Sequence, residues 1–178
     1  ELMTEDVKQL LDQLNIKKAT IVGFSMGGAV AFETAAQHSE YLENLVIVNS
    51  GPDFNNMGKI GEDLLNNRTA FLKTKGLDVL AKEISFNMFP EDHQLDLRNE
   101  FEERCKANDY NAYYKSFTTL MAWGLGEKIK DIKTRTLVVG SDMDYTPESF
   151  KQAYVNRLQN ANLVIIKNSR HGVVIDQP

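Results

Sequence analysis

Ser25 stands in Gly23-Phe24-Ser25-Met26-Gly27, a G-x-S-x-G pattern preceded by an apolar run and followed by an alanine-rich segment. A serine hydroxyl is a weak nucleophile until a neighbouring base takes its proton and a third group orients that base. His171, in "NSRHGVV", is the candidate base: it follows an apolar run that reads as a strand and has a glycine beside it. Asp142 and Asp144, in "GSDMDYTP", are the candidate acids just past another such run, with Asp53 a third candidate. The set has the chemistry of acyl transfer. Met26 adds a backbone N–H at a helix start, where it can face an oxyanion.

Each of these residues also has a plainer reading. Ser25 could cap a glycine-rich helix start, and the acidic turn could serve a helix capped by Thr146. His38 closes the helix after the serine and reads as structural, while His93 falls in a region that reads as solvated. What favours the catalytic reading is the strand–serine–helix order. That turn drives the serine toward positive φ, a strain of roughly 1–3 kcal/mol, and glycines on either side would relieve crowding as the chain doubles back.

The elements that would position these groups can be read from periodicity. Val7, Leu10, Leu11 and Leu14 repeat at helical spacing over residues 4–15, with Thr4 as a plausible N-cap. Four apolar runs, over 19–24, 43–50, 134–141 and 161–168, read as buried strands, with helices after Ser25 and after Thr146-Pro147. Buried strands alternating with helices predict an α/β fold, a mostly parallel sheet covered by helices on both faces. Residues 51–126 show no strand pattern and read as an inserted all-helical cap. The predicted division is therefore 1–50, core with the serine turn; 51–126, cap; and 127–178, core with the acid and base.

Composition narrows the partners. The chain has 178 residues, 42% hydrophobic and 25% charged, with a net charge of −5, an ordinary globular balance. It has no lysine/arginine-rich run to favour nucleic acid and no apolar stretch near the ~20 residues that cross a bilayer. One cysteine, Cys105, and three scattered histidines leave no ligand cluster, so neither a metal nor a cofactor is expected. The expected partner is a small-molecule acyl substrate, and the expected setting is cytoplasmic.

On these motifs the sequence resembles the α/β-hydrolase fold superfamily. The order Ser25, Asp, His171 is that family's order, with a helical cap between the two halves. "VVGSDMDYTP" is similar to the family's V-x-x-G-D-x-D-Y-T-P variant with Ser141 in place of the glycine. That alignment puts the acid on Asp144, 27 residues before His171, while a count from Gly140 leaves Asp142 as the alternative. The resemblance implies a serine hydrolase acting on an ester, thioester or lactone, with Phe24, Phe86, Met121 and Trp123 as possible pocket residues. It also admits other chemistry of the same triad (C–C bond hydrolysis, perhydrolysis, a lyase step) or a non-catalytic binding protein. The family's fold begins with further strands and an HG-type loop that supplies a second oxyanion donor. No His-Gly precedes residue 19, so the resemblance implies that those strands and the final helix lie outside this stretch.

Overall fold

The computed structural model describes residues 2–178. Its elements run α1 (Leu2–Gln13), β1 (Ala19–Phe24), α2 (Met26–Gln37), β2 (Leu42–Val48), α3 (Lys59–Met88), α4 (Leu95–Lys106), α5 (Tyr110–Met121), β3 (Thr136–Ser141), α6 (Glu148–Val155), β4 (Ala161–Ile166) and α7 (Val173–Asp176). The chain divides into two compact units: residues up to Asp53 with Gly124–Asn168, and Phe54–Trp123 with Ser169–Pro178.

The first unit holds one sheet of four parallel strands in the order β1-β2-β3-β4. Parallel pairing brings all four carboxyl ends to one edge, so Ser25 after β1 and the acidic turn after β3 share that edge. Apolar β-branched residues fill the strands because they pack well on a pleated, half-buried surface. Leu45, Ile47 and Val138 lie on one face and are fully buried. Helices α2 and α6 cover this same face, and Phe32 meets Tyr154 edge to face at 5.8 Å between ring centroids. α2 approaches closely because its inward residues, Gly28, Ala31 and Ala35, are small.

A parallel sheet flanked by helices is thus what the sequence predicts, with one difference in its cover. On the face opposite α2 and α6, Val22, Leu137 and Val164 keep 65%, 38% and 45% of their surface exposed. The first helix also differs. It begins at Leu2, which puts Thr4 inside it and buried rather than at its cap. Of its apolar stripe only Leu11 is buried, while Leu10 and Leu14 are exposed. Glu5 instead reaches the ring of His38 at 2.8 Å, which gives His38 its structural role.

The second unit, Phe54–Trp123 with Ser169–Pro178, is built from helices. α3 is broken at Gly76, whose φ of 81° and ψ of 174° leave the helical region, a conformation a side chain would resist. The two halves close on a cluster of Leu72, Leu77 and Leu80, with Tyr113 and Tyr114 against it. Residues 169–178 pack within this unit. The reason is steric and polar: Gly172 lies so close to Phe89 that a Cβ there would sit 2.6 Å from the ring, and Gln94 donates to Asp176.

Candidate active site

The turn between β1 and α2 is sharp. Ser25 has φ 51° and ψ −120°, outside the regions most L-residues occupy. Its backbone is held from three directions. The Ser25 N–H donates to Val48 O at 3.0 Å, and its carbonyl accepts from Gly28 N–H at 2.9 Å and from Ser50 Oγ at 2.6 Å. Ser50 is held in turn by Tyr154, whose hydroxyl donates to the Ser50 carbonyl at 2.9 Å. Strain at Ser25 is therefore over-determined by the end of β2 and by α6. The Ser25 hydroxyl makes no capping bond to α2, which argues against the plain helix-cap reading.

The glycines around Ser25 are not equivalent. A Cβ on Gly23 would lie 2.5 Å from the Gly27 carbonyl oxygen and 2.7 Å from Gly28 Cα. A Cβ on Gly28 would lie 2.4 Å from Ser50 Cβ, whereas one on Gly27 would meet nothing within 4 Å. The sequence-based expectation that both flanking glycines prevent collision is corrected. The second steric requirement falls on Gly28, where α2 crosses the end of β2.

Met26 is the first residue of α2, a position whose N–H has no acceptor within the helix. Phe24, at the end of β1, is partly buried. Met121 is buried at the end of α5 near Gly61, and Trp123 tilts against Phe54 at 6.5 Å between centroids. Phe86 lies elsewhere in the helical unit, 54% exposed, in a cleft of about 420 Å³ that α3 and α4 form with Phe71, Leu95 and Arg98. That cleft includes neither Met121 nor Trp123.

The acidic turn after β3 separates its two carboxylates. Asp142 is exposed, and its Oδ2 accepts from Asn168 N–H at 3.2 Å. The Asp144 side chain is 2% exposed, and its Oδ2 accepts from Lys151 Nζ at 2.7 Å and Thr146 Oγ1 at 2.9 Å. Burial first, then the negative charge of Asp144, push the Tyr154 phenol well above the usual tyrosine range. Asp53, the third candidate acid, accepts from Gly126 N–H at 2.6 Å and Arg157 Nη1 at 3.0 Å, a structural tie within the first unit. His171 lies in the second unit, between buried Ser169 and α7, and is partly buried.

Two residues of this edge escape sequence reasoning. Asn49, at φ 42° and buried, donates to Ser141 Oγ at 2.6 Å and accepts from Ser141 N–H at 2.8 Å. The Asn49 amide thereby ties the end of β2 to the end of β3, and Ser141, standing where the similar motif has glycine, supplies the matching hydroxyl. The other is Lys151, fully buried beneath the acidic turn. An asparagine just past a buried strand was the available signal for the first, because asparagine tolerates positive φ.

A family model described as alpha/beta hydrolase fold matches residues 2–178. The chain is 24% identical over 188 residues to a putative esterase/lipase of Haemophilus influenzae, covering 100% of this chain and 62% of that protein. Among solved structures it is similar to an esterase from Exiguobacterium antarcticum (TM-score 0.87, 21% identity, 98% of this chain and 68% of that one). It is also similar to an enol-lactonase from Burkholderia xenovorans (TM-score 0.85, 22% identity, 98% of this chain and 66% of that one). The chain thus spans about two thirds of the length of these relatives. None of the described helices is long and apolar enough to cross a membrane.

Proposed function

The chain belongs to the α/β hydrolase fold family, and from that premise we propose that the protein it forms is a serine hydrolase of carboxylic esters, thioesters or lactones. The observation that carries this reading is the Ser25 turn, at φ 51° and ψ −120° between a parallel strand and a helix, with its N–H bonded to Val48 of β2 and its carbonyl to Gly28 and Ser50. A strained, over-determined serine whose hydroxyl does not cap the helix is what a nucleophile at a sheet edge requires. The names of relatives, a putative esterase/lipase, an esterase and an enol-lactonase, favour the acyl chemistry.

In this reading Ser25 Oγ attacks the substrate carbonyl carbon while His171 accepts the hydroxyl proton. The oxyanion forms against the Met26 N–H, where the helix dipole favours negative charge. His171 then protonates the departing alcohol, thiol or ring oxygen, and water, activated by the same imidazole, releases the acid and restores Ser25. Asp144 holds the imidazole in the required tautomer. Its near-complete burial suits that role better than the exposure of Asp142. The acidic turn is hydrogen-bonded to Asn168, three residues before His171 in the chain, which supports the pairing of acid and base.

The test is covalent labelling of the full-length protein with a fluorophosphonate, beside turnover of an aryl ester and lactone panel. The reading expects labelling and turnover in the parent, both lost in Ser25→Ala. A parent that does not label, or a Ser25→Ala variant that still turns over substrate, overturns it.

A further inference from the structure

Lysine 151 lies in α6 with no exposed surface, an expensive place for an ammonium unless every proton on it finds an acceptor. Here all three acceptors are present at 2.7 Å: Asp144 Oδ2, Thr146 O and Thr146 Oγ1. The Thr146 hydroxyl passes its own proton on to the same Asp144 oxygen at 2.9 Å. The route of the lysine stem is built into the sheet. A Cβ on Gly140 of β3 would lie 2.6 Å from Lys151 Cδ and 3.0 Å from Cε, so the strand gives up a side chain where the stem crosses it. Both bonds converge on one oxygen of one carboxylate, and the neighbouring Asp142 is engaged elsewhere, by Asn168.

We propose that Lys151 is a positioning residue: together with Thr146 it fixes the Asp144 carboxylate by Oδ2, in the single orientation that a catalytic acid requires. The proposal rests on the serine-hydrolase reading above. A carboxylate rotates freely about its last torsion unless something pins it, and one that rotates presents the imidazole with a shifting acceptor. A charge-assisted bond from a saturated ammonium removes that freedom, and the buried setting strengthens it.

The experiment is a double-mutant cycle in the full-length protein with Lys151→Met, Asp144→Asn and the pair, reading kcat and KM on an aryl ester and the rate of fluorophosphonate labelling. Lys151→Met is expected to lower kcat and the labelling rate about ten- to a hundredfold, with KM changed by no more than about twofold. Asp144→Asn alone is expected to cost about 10⁴-fold in kcat, and adding Lys151→Met to it nothing further. Folded Lys151→Met with parental kcat, or losses that multiply in the pair, overturns the proposal. If Lys151→Met does not fold, Thr146→Val takes its place in the cycle. A kcat loss that vanishes in the Asp144→Asn background supports the proposal, and no loss, or one that persists there, overturns it. Ser25→Ala separates the two readings. If it leaves turnover intact the hydrolase reading falls, whereas if it abolishes turnover while Lys151→Met does not slow it, only the positioning role falls.

Discussion

The Ser50 hydroxyl donates to the Ser25 carbonyl at 2.6 Å, so a residue two positions past the second strand holds the strained turn after the first. Ser50→Ala removes this bond, while the Gly28 N–H in the helix still reaches the carbonyl. We expect a stability loss of about 0.5–1.5 kcal/mol in urea melts, together with slower fluorophosphonate labelling of Ser25. Unchanged labelling would show that the remaining bonds suffice to hold the turn.

The two glycines after Ser25 should respond oppositely to alanine. Gly27→Ala adds a methyl to open space on a helix, where alanine is favoured by about 0.8–1 kcal/mol, so it should be tolerated or stabilising. Gly28→Ala drives a methyl to 2.4 Å from Ser50 Cβ and should displace the helix from the strand end, at a cost of about 1–3 kcal/mol. Denaturation midpoints of the two variants check the order, and a reversal would refute this account of the turn.

Asn49→Ala should destabilise by about 2–4 kcal/mol, combining two lost bonds to Ser141 with a positive φ that alanine resists. Asn49→Gly loses the same bonds but keeps the backbone comfortable, so it should cost less. Equal losses in the two variants would show that the backbone conformation contributes nothing.

Tyr154 gives a pH signature. Below about pH 10 the phenol keeps its proton in both the folded and unfolded states. Above it the unfolded chain releases that proton, while the buried phenol, whose pKa is raised by burial and by Asp144, holds it. The unfolded state then binds fewer protons, so stability falls as pH rises, by up to about 1.4 kcal/mol per pH unit from this group. Tyr154→Phe should be less stable than the parent at pH 7, having lost its bond to Ser50 O, and the gap should narrow between pH 9 and 11. Urea midpoints across that range check it, and a gap that stays constant would rule out the proton linkage.

Local pattern was enough for the strand–Ser25–helix turn, for the limits of β1 and for a middle region without strands. Glycine spacing and apolar runs express backbone geometry within a few residues of themselves. The same patterns marked the acidic turn and the histidine, because each closely follows a strand. They went wrong where a distant segment decides. Gly28 rather than Gly27 is sterically required only because Ser50 arrives beside it.

By itself the sequence determined the kind of sheet, the place of the nucleophile candidate and the order of the serine, aspartate and histidine candidates. Tertiary structure decided which carboxylate is buried, what ties Asn49 to Ser141 across 92 residues, and that Lys151, a residue type normally solvated, lies under the sheet edge. The physical reason is that burial of a charge depends on acceptors brought together by parallel strand pairing. For Lys151 they are Asp144 and Thr146, held above a strand that carries glycine at position 140.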